Sequence, residues 1–296
     1  MRLCDSNPSF EVWMKEFGDR LRIRAASHHA KCTICVKHKL ILKQLVRGPA
    51  RNAQLGLYRE HLRRQYRDRQ TYWMFSSQSR HEVATTNKVK MVSMIVDGMD
   101  AAKHAYPKSE ALMAKEFGSW ARPKMQNTSI LAHGHGVLIG LSPQNVPASG
   151  SRTMELLAHM MSRLAQPKPG QPPSLQVHWS STFLHLEADN CCKELKHQTC
   201  LRMLATQIAN HALLGAQISY LQSGHSHEDI DCFFSLTSSW LQRFQTLENI
   251  SDFQSCLQEF LANKTVRVHE PHREVVVFDQ FRDWLLGFEV PSLILF

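Results

Sequence analysis

No run of about 18 consecutive apolar residues occurs in this chain, so nothing in it reads as a membrane-spanning helix. The opening residues, Met1-Arg2-Leu3-Cys4-Asp5, hold no apolar signal core. The eight cysteines (Cys4, Cys32, Cys35, Cys191, Cys192, Cys200, Cys232 and Cys256) lack the dense spacing of a secreted disulfide scaffold. A soluble protein of a reducing, intracellular compartment is the expectation. No internal repeat is visible, and no tract is low enough in complexity to predict wholesale disorder. At 43% hydrophobic and 8% aromatic, the 296 residues can instead bury a sizeable core.

Acidic side chains are scarce at one end. Residues 1–90 hold 19 Lys and Arg against 7 Asp and Glu, a balance of +12, whereas the remaining residues hold 16 against 19, or −3. A basic partner surface is therefore expected near the N-terminus. Phosphate backbones are the commonest target of such a surface, and a solvated helix face produces similar counts.

Along the chain, Leu21 to Arg24 reads as a short basic strand, followed by His28, His29, Cys32 and Cys35. Val36 to Val46 has helical spacing and ends at the breaker pair Gly48-Pro49. A second helix is predicted from about Arg51 to Phe75, with Arg59, Arg63 and Arg67 on one face. From Lys88 the texture alternates. Strands are predicted at Val89 to Val96, Thr128 to Leu131, Val137 to Leu141, Phe183 to Ala188 and Gln217 to Leu221. Helices are predicted from Ser151 to the Pro-rich stretch at Pro167, from Thr199 to Leu214 and from His227 to Phe244. The last fifty residues suggest a helix (Phe253 to Leu261), a hairpin-like strand pair around Val266 and Val275, and a closing helix from Asp279 to Phe288.

The order β, β, β, α, β, α, β, α is that of a ribonuclease-H-like fold. The expectation is an α/β protein with a mixed five-stranded sheet and flanking helices over residues 88–245. A mainly helical, basic module (1–87) would precede it and a small α/β appendage (246–296) would follow. Acids lie where that order gathers them: Asp97 at the end of the first strand, Asp189 after the fourth, and Asp229 at the start of the last helix, with Glu228 and Asp231 as rivals for the third place. Several carboxylates meeting at one spot can hold two Mg²⁺ or Mn²⁺ ions for phosphodiester chemistry. Each acid alone also suits a turn or a helix N-terminus. His225 and His227 can orient a phosphate, carry a proton or ligate a metal. His133 and His135 flank Gly134 in a tight hairpin and read as turn residues. Asp100 reads as a helix cap, and Cys191, Cys192 and Cys200 as ordinary small residues without a His-Asp partner pattern for a thiol nucleophile.

The spacing Cys32-Thr33-Ile34-Cys35 supplies half of a tetrahedral zinc site, with His61 a third ligand and His28, His29 or His38 a fourth. Together with Arg69-Gln70-Thr71-Tyr72, Met94-Ile95-Val96-Asp97-Gly98-Met99-Asp100, Asp189-Asn190 with Glu194 and Lys196, and His225 to Asp231, this pattern resembles a eukaryotic transposon-associated domain family. The resemblance covers about residues 20–245. It implies a transposase- or integrase-like nuclease core behind a zinc-type module, and it favours Asp229 over Glu228. One departure is His197, where the family often has Asn.

The sequence thus leads to a DNA strand-transferase or nuclease using two divalent metals, with Arg63, Arg64 and Arg67 on phosphates, zinc in the N-terminal module, and a nuclear location. RNA stays open as a partner, as does oligomerisation, and no membrane is expected. The alternative is a binding protein of the same fold that performs no chemistry. A hydrolase of small phosphates is the third reading.

Overall fold

The computed structural model describes residues 32–85, 89–99, 105–109, 122–146, 149–166, 176–189, 198–221, 229–263 and 272–278. Two N-terminal helices, α1 (Thr33–Gln44) and α2 (Pro49–Thr85), are followed by strands β1 (Met91–Met99), β2 (Gln126–Ala132) and β3 (Gly136–Ser142). Next come α3 (Gly150–Ala165), β4 (Phe183–Asp189), α4 (Gln198–Ala209) and β5 (Gly215–Leu221). Helices α5 (Asp229–Leu241) and α6 (Ile250–Ala262) and strand β6 (His272–Val277) follow, and a single 3-10 turn, Trp179–Ser181, leads into β4.

The strands form one mixed sheet in the order β5-β4-β1-β2-β3-β6. Only β2 runs against the rest: β1 pairs with it antiparallel and with β4 parallel, and β4 pairs with β5 parallel. Among the described residues the sheet has six strands, against the five expected for the core. Val275 lies in β6, which runs parallel to β3 and covers its outer edge. Gly136 permits that approach, because a Cβ at this position would meet the His272 carbonyl oxygen at 2.8 Å. The expected elements around Leu21, Val266 and Asp279 to Phe288 lie outside the described residues.

Strand alternation sorts the side chains to two faces. Val92, Met94 and Val96 of β1, with Ile130, Leu138, Leu184 and Leu186, pack against Met154, Leu157 and Met160 of α3 and Met203 and Leu204 of α4. Ile95 and Met99, with Leu131, Ile139 and Leu141, pack against Phe233 and Trp240 of α5, Phe253, Leu257 and Phe260 of α6, and Tyr72 of α2. Asp97 falls by the same alternation on this second face. On this face α6 starts at a reciprocal capping box formed by Asn249 and Asp252.

Helix α2 begins with Pro49, whose missing N–H costs nothing at a first helical position. It runs ten residues past the expected end. The extension Ser76-Ser77-Gln78-Ser79 is polar, yet Ser76, Ser79 and Glu82 are buried: Ser76 bonds back to the Trp73 carbonyl of its own helix, while Ser79 and Glu82 satisfy backbone of the sheet and its turn. The Glu82 carboxylate accepts from the N–H of Lys90 and Met91 at 2.8 and 2.9 Å. Ser79 Oγ accepts from Ser93 N–H at 3.2 Å and donates to the His133 carbonyl at 2.7 Å.

Candidate metal and nucleic-acid sites

The last register pair between β1 and β4 is Val96 with Ala188, so Asp97 and Asp189 are the next residues on two neighbouring parallel strands. In-register residues of parallel strands share a face, and adjacent strands lie about 4.8 Å apart. The backbone positions 97 and 189 are therefore neighbours at the C-terminal ends of β1 and β4. Asp97 is half-buried, and its Oδ1 accepts from Gly98 N–H at 2.7 Å. The Asp189 side chain lies outside the description, as do His225, His227 and Glu228, along with Asp100, Glu194 and His197.

Two residues before Asp189, on the same face, is a carboxylate the sequence reading passed over. Glu187 is buried, with His185 Nε2 at 3.7 Å from its Oε2. His185 is bracketed by Ser93 Oγ at 3.0 Å and Ser219 Oγ at 3.2 Å, and Phe75 of α2 stacks on it with ring centroids 4.4 Å apart. Burial lowers its pKa to about 4, so the ring is neutral at pH 7. The alternation Glu187-Ala188-Asp189 was the available signal, since acids two apart on a strand share a face.

Asp229 opens α5, where two acids in the first turn suit the positive end of the helix. Its Oδ2 accepts from Arg80 Nη2 at 2.6 Å and lies 3.8 Å from His133 Nδ1. Arg80 Nη2 also donates to His133 Nδ1 at 2.8 Å, which puts the ring proton on Nε2, 2.9 Å from the Tyr72 hydroxyl. Burial first, then the Arg80 charge, lower the His133 pKa to about 3. His133 is thus no incidental turn residue but the fixed acceptor that aims Arg80. Its turn is clamped to α2: Gly134, at φ +80, lies so close that a Cβ would be 3.0 Å from Arg80 Cα. The His133 N–H bonds to Ser93 O, four residues and about 13 Å of strand short of Asp97. Asp231 is half-buried on the same helix turn as Asp229.

At the start of α1 the structure brings together Cys32, Cys35 and His61, whose ligand atoms all lie within 4.8 Å of one another. His61 Nε2 is 3.5 Å from Cys32 Sγ and 3.2 Å from Cys35 Sγ. A tetrahedral zinc with bonds of about 2.3 Å to sulfur and about 2.0 Å to nitrogen spaces those atoms about 3.5 Å apart. The three side chains can therefore hold a metal ion. Gln65 Nε2 stands 2.6 Å from His61 Nε2, and the His38 ring centroid is 6.0 Å from that of His61. Burial and the neighbouring Cys32 raise the Cys35 pKa, while burial and then His38 lower that of His61. His28 and His29 lie outside the described residues.

Arg63, Arg64 and Arg67 are exposed on α2, with Arg64 bonded to Glu60 at 3.3 Å. Cys200 is buried in the core and its pKa is raised to about 12, as an ordinary apolar-site thiol requires. Among the described residues, no helix is long and apolar enough to cross a membrane.

A family model described as a domain of unknown function, DUF7869, matches residues 117–288, more than half of the chain. The chain belongs to this family. The DUF7869 region includes Asp189, Asp229, β4 and α5, and starts after Asp97 and the Cys32 cluster. No curated protein matches the chain. Among solved structures, it is similar to a "Mos1 transposase paired-end complex with left transposon end", at 12% identity over 86% of this chain and 80% of that one, with a TM-score of 0.34. A "pre-cleavage Mos1 transpososome" is similar at 10% identity over 87% and 86%, with a TM-score of 0.31. Likenesses of that size carry no statement about chemistry.

Proposed function

We propose that the chain is a ribonuclease-H-like, DNA-acting enzyme of the nuclease or strand-transferase class. The observation that carries this reading is the register of Asp97 beside Asp189 at the ends of two parallel central strands. The strand order β5-β4-β1-β2-β3, with β2 alone reversed, is the order that a ribonuclease-H-like core requires, and β6 is an addition at its edge. Neighbouring carboxylates at positions 97 and 189 are a hard-oxygen donor pair suited to Mg²⁺ or Mn²⁺; Asp229, the third acid with Asp231 and Glu228 as its rivals, would have to leave Arg80 and approach Asp97 to join them. Divalent ions bound there would supply Lewis-acid stabilisation of the scissile phosphate and an activated water or 3′-hydroxyl. The chain's own acids hold the charge, His225 or His227 assists proton movement, and Arg63, Arg64 and Arg67 bind phosphates. In the N-terminal module, Cys32, Cys35 and His61 hold zinc.

A second reading has one observation in its favour. The Asp229 carboxylate is already engaged by Arg80, as in a chain that keeps the fold and binds DNA without cutting it. Plasmid DNA incubated with the chain and Mn²⁺ separates the two. Metal-dependent nicking that falls at least about a hundredfold in both Asp97→Asn and Asp189→Asn supports the enzyme. Retained DNA binding without nicking under any divalent ion supports the binding protein.

A further inference from the structure

Helix α2 carries a feature that the acid site leaves unused. Arg59, Arg63, Tyr66, Trp73 and Arg80 are spaced at four, three, seven and seven residues, a 3.5-residue repeat that keeps them on one side of the helix. All five are exposed, whereas Gln65, Tyr72, Ser76 and Ser79 of the other side are buried. The two aromatics retain 55% and 43% of their surface and meet edge-to-face, with ring centroids 6.3 Å apart. From Arg59 to Arg80 the stripe runs about 31 Å and ends where Arg80 bonds Asp229. The helix holds seven arginines, no lysine and three acids. Two of those acids are already engaged, Glu60 by Arg64 and Glu82 by strand backbone.

Exposed Tyr and Trp between arginines suit a ligand that offers flat apolar faces and negative charge at alternate positions. A duplex offers only its phosphates to such a face, because its bases are already stacked and paired. A single strand offers both, and base–aromatic stacking with arginine neutralisation is how unpaired strands are held without sequence readout. We propose that this stripe is a track for single-stranded DNA: Tyr66 and Trp73 stack on unpaired bases, Arg59 and Arg63 hold phosphates, and the strand is led toward Arg80 and Asp229. The assignment rests on the DNA-acting reading above and narrows it to a substrate with an unpaired end or a melted segment.

The test is metal-free binding by the full chain, read as fluorescence anisotropy. The probes are a labelled 20-mer oligothymidylate, a duplex of equal length and a 20-mer oligouridylate. The oligothymidylate binds about tenfold tighter than the duplex, and the Tyr66→Ala/Trp73→Ala variant loses about tenfold on the single strand alone. Trp73→Leu keeps apolar volume without a π face and loses single-strand affinity in the same direction, which separates stacking from folding. Arg63→Ala weakens both DNAs and lowers the salt slope by about one. Equal affinity for duplex and single strand, an aromatic-free variant that binds like the wild type, or tighter binding of the oligouridylate overturns the assignment. Stacking intact with no nicking under any metal sinks only the enzyme, and nicking without single-strand preference sinks only the track.

Discussion

At the residue scale, the described interior holds imidazoles where a core usually holds aliphatic side chains. His135 and His185 are buried, and burial, assisted at His135 by His272, lowers both from 6.5 to about 4. The folded chain therefore resists protonating them, while the unfolded chain takes up protons below about pH 6.5. Between about pH 6.5 and 4 the unfolded state binds more protons, so stability falls as pH drops through that window and is fully present above it. Each histidine contributes up to about 1.4 kcal/mol per pH unit there. Urea melts at pH 7.5, 6.0 and 5.0 should show this loss, and His185→Gln should flatten it by about one proton while costing stability at pH 7.5. A stability independent of pH between 7.5 and 5.0 would place these rings in water. Neither ring's burial was legible locally. His185 sits in an alternating strand run, but its lid, Phe75, comes from a helix 110 residues earlier. Arg80 and Asp229 are likewise paired across 149 residues, with no motif to announce it.

At the element scale, α1 is a 12-residue helix that leaves Ile34, Leu40 and Ile41 largely exposed, too short and too thinly packed to stand on propensity alone. The Cys32, Cys35 and His61 cluster ties it to α2, alongside Gln54 on His38 at 2.8 Å and Arg51 on the Leu42 carbonyl at 2.6 Å. The expected outcome is one zinc per chain by metal analysis. A strong chelator or Cys35→Ser should lower helical ellipticity at 222 nm by about the share of α1 and leave the sheet folded. A metal-free chain with unchanged ellipticity would show that packing alone holds the helix. Helix α6 is held differently, by its capping box, and Asn249→Ala should cost about 1 kcal/mol in a denaturant melt. The sequence was most readable at this scale. The β-branched run Val89 to Val96 and the apolar run Phe183 to Ala188 located β1 and β4 within a few residues. It failed where polar residues face inward, as in α2 beyond Phe75. It failed again where pairing is long-range, as in β6, whose valines carry no mark of the strand they join.

At the scale of the whole molecule, the central question is what two like charges do at adjacent strand ends. With strands about 4.8 Å apart, carboxylates at neighbouring strand ends repel each other at a cost, which a divalent ion between them would offset. Divalent ions that bind only the folded state convert that cost into stabilisation that grows with the logarithm of ion concentration. Millimolar Mn²⁺ should therefore raise the melting temperature of the wild-type chain by several degrees. Asp97→Asn should melt at or above the metal-free wild type, because the amide keeps the Gly98 hydrogen bond while losing the charge. The same variant should lose most of the Mn²⁺ response, and so should Asp189→Asn. A purely structural pair gives the opposite pattern, in which each asparagine variant melts lower and the Mn²⁺ response is unchanged. Differential scanning calorimetry of the three proteins with and without Mn²⁺ reads both signs at once, and it does so whether or not any DNA is cut.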